Sequence, residues 1–263
     1  MDTGDMREAA SEVGESRPVE YGARLGYAGS GVLHLLMGII ALRIAVGGGG
    51  ASADQSGALG TLADQPLGTV LLWLVTAGFV LLALWQATEA VTGAHGAETT
   101  DRVKAVGKCV VYAALAWSAF TFATGGGASS RSQTRDFTAT LLQHSGGRLA
   151  VAAIGLAILG AGGYHVYKGW TCGFLDDLAA HPGAWAVHAG RVGYLAKGVA
   201  LGVVGILFVI GAYRKSAAKT TGLDGALRAL RDQPAGTVLL ALVALGIAAF
   251  GVYCFARARY AKV

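Results

Sequence analysis

Charge is scarce in this 263-residue chain: 14% of its residues are Asp, Glu, Lys or Arg, little more than half of the roughly one quarter usual in soluble domains. The shortage excludes a disordered chain and a basic nucleic-acid-binding domain, and it argues against any soluble domain. Proline is rare, with four residues, and cysteine rarer, with three. Cys109, Cys172 and Cys254 show no metal-ligand spacing and read as unbridged thiols. There is no Gly-x-x-x-x-Gly-Lys-Ser/Thr phosphate loop, no His-Glu-x-x-His and no Gly-x-Ser-x-Gly elbow. Nothing in this inventory points to an enzyme, and no cofactor, metal or nucleic-acid partner is expected.

Apolar residues are what the chain has in excess: 54% are hydrophobic and 41 are glycine, giving a mean hydropathy of +0.52. Six long apolar runs cover 25–46, 68–91, 103–123, 149–167, 192–213 and 235–256. At about 1.5 Å of rise per residue each reaches roughly 28–36 Å, enough to cross a hydrocarbon core of about 30 Å. Backbone groups in lipid must bond internally, and no period-two alternation supports a barrel, so the runs predict helices. Ala51-Ser52-Ala53 resembles a signal-peptide cleavage site. However, residues 1–23 carry six acids and only two basic residues, Arg7 and Arg17, the wrong sign for a leader. The acidic stretch 1–20 is instead expected to be a mobile tail.

Orientation follows from Lys and Arg near the helix ends. With both termini in the cytoplasm, twelve basic residues fall inside: Arg7, Arg17, Arg24, Arg102, Lys104, Lys108, Lys168, Arg191, Lys197, Arg257, Arg259 and Lys262. Nine fall on the other side, and the first connecting loop, 47–67, has no Lys or Arg at all. The expected location is the cell membrane, multi-pass, with cytoplasmic termini.

The chain repeats itself. Residues 57–72 align with 225–240, with twelve of sixteen positions identical, including Asp64-Gln65-Pro66 and Asp232-Gln233-Pro234. A middle copy at 138–149 keeps mainly the leucines and Gly147. Segments 24–31, 102–109 and 191–198 also align, as do 85–89, 164–168 and 253–257. The predicted organisation is tail 1–20, repeat 1 at 21–95, repeat 2 at 99–180, repeat 3 at 186–258 and a C-terminal tail 259–263. Two spans per repeat make the copies parallel. Between the spans, Leu223, Leu227 and Leu230 recur at helical spacing, as do Leu59 and Leu62. These short stretches predict interfacial helices with their leucines on the membrane. The fold class is thus an all-α membrane protein, with six transmembrane helices in three two-helix repeats.

The Arg-x-Gly-Tyr starts at Arg24 and Arg191, the Gly-Tyr-His-Val-Tyr-Lys-Gly stretch from Gly163 to Gly169, and the two Asp-Gln-Pro turns resemble a bacterial membrane-protein family catalogued as domain of unknown function 1206. The resemblance covers about residues 20–258. It implies architecture and a cell-membrane location, and no activity or catalytic residues. The second copy departs from the pattern, with Lys104-Ala105 in place of Gly-Tyr.

One feature of the spans invites a functional reading. In the first helix of each repeat, Arg24/Tyr27/Ser30/His34, Arg102/Ala105/Lys108/Tyr112 and Arg191/Tyr194/Lys197/Leu201 occupy equivalent positions. At about 100° per residue they fall within a sector of about 120°. With Lys168 and Arg257, this places seven basic groups, Arg24, Arg102, Lys108, Lys168, Arg191, Lys197 and Arg257, near one level, and Glu89 is their candidate ion-pair partner. Two readings follow. The basic groups snorkel to anionic lipid headgroups in a lipid- or partner-binding scaffold, or they line a vestibule for an anionic ligand in a transporter. His34 and His165 differ by roughly 10 Å in depth, too far for two axial ligands of one haem.

Overall fold

The computed structural model describes residues 17–48, 50–92, 99–127 and 129–262. Most of the expected N-terminal tail, 1–16, lies outside the described residues. Nine α-helices occur among the described residues, three for each repeat. Copy 1 holds α1 (Arg17–Ala45), α2 (Gln55–Ala63) and α3 (Gly68–Thr92). Copy 2 holds α4 (Thr99–Ala123), α5 (Ser130–Gln143) and α6 (Gly147–Trp170). Copy 3 holds α7 (Ala184–Arg214), α8 (Gly222–Arg231) and α9 (Gly236–Tyr260). The long helices α1, α3, α4, α6, α7 and α9 are each long and apolar enough to cross a membrane. All four prolines, Pro18, Pro66, Pro182 and Pro234, stand within two residues of a helix start, where a missing N–H costs nothing. Hydroxyls within the spans bond back to their own helices, as Thr76 does to the Leu72 carbonyl at 2.8 Å.

Packing divides the chain into two compact units. One contains the described parts of Met1–Ser30, Leu62–Gly126 and Cys254–Val263; the other contains Gly31–Thr61 and Gly127–Tyr253. In the first unit α3 packs on α4, and α1 meets α3 where Gly26 and Gly78 approach backbone to backbone. In the second, α6 and α7 run antiparallel, with Gly155 on the Gly205 carbonyl and Gly162 on the Gly198 carbonyl. Also in the second unit, α7 meets α9 where Gly193 packs on the Phe250 backbone and Gly246 on Ala196. Gly193 and Gly246 are the repeat equivalents of Gly26 and Gly78, so copies 1 and 3 close their own two spans in one way. Copy 2 has Lys104 and Ala157 at these positions.

The short helices are present in all three copies, including the diverged middle one. Leu59, Leu62 and Leu227 do not meet the membrane as expected, while Leu223 and Leu230 are half-buried. Leu59 is 0% and Leu227 1% exposed, both covered by protein. A helical repeat of leucines fixes which face is apolar, but lipid and protein satisfy that face equally.

In the second unit, the first turns of the short helices are tied to one another. The fully buried Asp224 carboxylate accepts from the Ala53 N–H at 2.9 Å and from the Arg228 Nε at 2.9 Å. It also accepts from Arg131 at 3.3 Å. Ser56, the repeat equivalent of Asp224, accepts from the Ser130 N–H at 3.1 Å and donates to Asp54 at 2.6 Å. Asp54 caps α2 by accepting from the Gly57 N–H at 3.1 Å. Copy 3 thus reaches copy 1, and copy 1 reaches copy 2, through one repeat position.

The turn from short helix to second span is the same in each copy. Gln65, His144 and Gln233 donate their N–H groups to the Leu62, Leu141 and Leu230 carbonyls at 3.1, 3.1 and 3.2 Å. Gly68, Gly147 and Gly236 donate in turn to the carbonyls of Gln65, His144 and Gln233 at 2.8, 3.0 and 2.8 Å. A Cβ on any of these three glycines would overlap the Leu62, Leu141 or Arg231 carbonyl oxygen. Backbone oxygens cannot swing aside, so Gly68→Ala, Gly147→Ala and Gly236→Ala should each lose about 1–3 kcal/mol, read as a lower Tm in detergent. Gly107 and Gly160 have open space where a Cβ would stand. Alanine there should leave Tm unchanged or raise it, since Gly in a helix costs about 0.5–1 kcal/mol relative to Ala.

Candidate functional site

In the second unit, the C-terminal end of α6 and the N-terminal half of α7 build a cluster of rings and basic groups. Lys168 Nζ pairs with the Asp177 carboxylate at 2.7 Å. The 3₁₀ turn Gly173–Asp177 makes this possible by folding back after Cys172, which takes a left-handed conformation with φ 56°. Lys168 also stands 5.8 Å from the Tyr194 ring centre and 5.9 Å from that of Tyr164. Phe174 stacks on Tyr194 with centroids 5.3 Å apart, and Tyr253 donates its hydroxyl to the Phe174 carbonyl at 3.1 Å. Lys197 sits 4.2 Å from the Phe250 ring centre and 3.5 Å from His34 Nε2. His165 packs 5.6 Å from Tyr194, and its Nδ1–H donates to the Ala161 carbonyl at 2.8 Å. A carbonyl can only accept, which sets the tautomer. Lys197 is thus held within the protein, against His34 and Phe250.

The first unit carries a related arrangement. Arg257 lies over the Tyr27 ring at 4.4 Å and donates to its hydroxyl at 3.4 Å. Arg24 pairs with Glu20 at 2.8 Å and donates to the Arg259 carbonyl at 2.6 Å. Arg257 and Lys168 occupy the same repeat position, and so do Tyr27 and Tyr194. Each basic residue ends the second span of one copy and covers a ring on the first span of another. In copy 1 the corresponding position holds Glu89, and in the first span of copy 2 it holds Ala105. Base and ring are therefore replaced together. The departure at Lys104-Ala105 noted in the sequence therefore falls in the copy that lacks the ring, as Glu89 falls in the copy that lacks the base.

The remaining basic residues of the stripe differ in exposure. Arg102 is half-buried, Lys108 is exposed, and Glu89 is half-buried on α3. Arg191 is exposed, with its guanidinium 5.6 Å from the Trp170 ring centre. Lys108 and Lys197 hold the same repeat position, but Lys108 is exposed and Lys197 half-buried. Sequence reasoning missed the rings and the Asp177 carboxylate as partners; only the pairing of Tyr with a base at matched repeat positions could have signalled the rings. Among the described residues, no group of three or more His, Cys, Asp and Glu side chains is placed to hold a metal.

Double-mutant cycles test the clamp. Arg257→Met with Tyr27→Leu, and Lys168→Met with Tyr194→Leu, should each show a coupling of about 0.5–2 kcal/mol in thermal or denaturant stability. Additive losses in both cycles, within about 0.3 kcal/mol, would mean that the contacts carry no energy of their own.

Comparison with known proteins gives the architecture its relatives. A protein of Bacillus subtilis (strain 168), described as "Uncharacterized protein YxxB", is 28% identical over 257 residues, covering 94% of this chain and 93% of its own length. No solved structure matches. The family model "Domain of Unknown Function (DUF1206)" matches three times, at residues 25–93, 103–172 and 192–261. Each match runs from the first span of a copy to the end of its second, and the chain therefore belongs to the DUF1206 family, as a membrane protein built from three tandem copies of its repeat.

Proposed function

We propose that this protein is a non-transporting scaffold of the cell membrane, which binds lipid, through anionic headgroups, or a partner, and keeps both termini in the cytoplasm. The observation that carries this reading is the engagement of the basic groups with the protein itself. Arg24 pairs with Glu20, Lys168 with Asp177, and Arg257 covers Tyr27. A transport path needs basic groups poised for a passing anion, whereas these are committed to structure. Arg191 and Lys108 are exposed and, with the half-buried Arg102, suit headgroups, each basic residue near an anionic surface contributing about 1 kcal/mol. Glu89 is assigned to ion pairing at the same level. The cytoplasmic placement rests on the excess of Lys and Arg at that end and on their absence from 47–67.

The inward turn of Lys197 onto His34 favours a second reading, an anion vestibule, and the two readings separate cleanly in proteoliposomes. The scaffold should pass no more chloride or phosphate than empty vesicles do, and its Tm should rise with phosphatidylglycerol over phosphatidylcholine. Anion flux that Lys197→Met abolishes would establish the vestibule instead.

Orientation has its own test. Single cysteines at Ala51, Ser129 and Ala218, all exposed, introduced into a cysteine-free background, should react with a membrane-impermeant maleimide added outside intact cells. Reaction only after the membrane is broken would invert the assignment.

A further inference from the structure

The antiparallel pair α6 and α7 carries an arginine over an aromatic ring at each end. At one end Arg191 lies over Trp170 at 5.6 Å. At the other, Arg148 lies over Tyr213 at 5.7 Å. In both pairs the ring is widely open, with Trp170 68% and Tyr213 76% exposed, and both arginines are exposed. Arg148 and Trp170 are the two ends of α6, and Arg191 and Tyr213 the two ends of the same stretch of α7. On either helix the separation is about 22 residues, or about 33 Å of axis. That matches the hydrocarbon thickness of about 30 Å.

The surface between the two pairs is apolar and grooved. At about 100° per residue, Arg148, Leu156, Gly163 and Trp170 fall within about 80° on α6, and Arg191, Gly202, Ile206 and Tyr213 within about 60° on α7. Leu156 and Ile206 are exposed. Gly163 and Gly202 have nothing within 4 Å of where a Cβ would stand. The seam beneath them is closed by Gly155 and Gly162 on the α7 backbone, so the open glycines form a shallow floor rather than a gap through the pair.

We infer that the outward face of the α6–α7 pair is a docking surface for anionic phospholipid, one molecule from each leaflet, with its phosphate on Arg191 or Arg148 and its acyl chains along the glycine-floored groove. Guanidinium offers paired N–H donors to phosphate oxygens, and the ring beneath holds the guanidinium plane while sitting at headgroup depth itself. The charge is complementary to a phosphodiester, and the groove is complementary to hydrocarbon. This rests on the scaffold reading above, because it names where the lipid binds.

Native mass spectrometry of the full chain, released from detergent with added phosphatidylglycerol, tests the site. The parent should retain two lipids, Arg148→Gln and Arg191→Gln one each, and the double variant none, with each loss weakening apparent affinity at least about fivefold. Trp170→Leu should weaken the Arg191 site while leaving both charges in place. Equal Tm values without lipid show that the variants are folded; if Arg191→Gln is not, Trp170→Leu carries the test. Retention of two lipids by the double variant overturns the site, as does equal retention of phosphatidylcholine or displacement by inorganic phosphate at matched concentration. Stabilisation by phosphatidylglycerol that persists unchanged in the double variant removes this site but leaves the scaffold reading standing. No stabilisation of the parent by phosphatidylglycerol removes both.

Discussion

Helix backbones in this protein touch, and most of the described packing depends on it. Where Gly155 meets Gly205 and Gly162 meets Gly198, no side chain separates α6 from α7. Lipid tails are as apolar as leucine, so a membrane gives no hydrophobic drive to bring two apolar helices together. Association must come from dispersion and from close approach, which glycine permits. The abundance of glycine, 41 residues in all, is therefore a packing requirement rather than a sign of flexibility. It is the close approach of α6 and α7 that brings Lys168 within reach of Tyr194 and Arg191 over Trp170.

The three copies show which parts of the repeat are structural and which are open to change. All three keep the turn glycine, because the carbonyl it would strike belongs to the backbone and does not vary with sequence. The middle copy lost Asp-Gln-Pro, having Gln143-His144-Ser145 there, yet forms the same pair of turn hydrogen bonds. Proline assists that turn; glycine is what it requires. By contrast, the ring-and-base clamp is kept twice and dropped once, with both members exchanged together.

Much of the architecture was legible in the sequence because its signals are local. A run of twenty apolar residues has few other fates, and twelve identities in sixteen positions declare a repeat. The middle short helix was harder to see: α5 replaces the leucine of its equivalent position with Thr138, which is buried and bonds back to Thr134 at 2.8 Å. The site was legible only as a level. Sequence placed Arg257 and Lys168 near one end of the spans, but the ring under Arg257 belongs to a residue 230 positions earlier. No helical wheel reports which neighbouring helix a side chain will meet. The expectation for Leu59, Leu62 and Leu227 failed for the same reason, since periodicity names a face and not what covers it.

The bond from the Ala53 N–H to Asp224 also constrains the order in which the chain is completed. Its two ends are 171 residues apart. A ribosome adding about 5–20 residues per second needs roughly 10–30 s between them. Throughout that interval the first loop has emerged, with α1 already able to enter the bilayer, and the Ala53 amide lacks the carboxylate it bonds in the finished protein. The first connection is therefore finished by the last short helix to be made. A nascent chain halted after copy 2 would hold four spans and two short helices, joined by Ser56 and Ser130 but with the carboxylate for the Ala53 amide still unwritten.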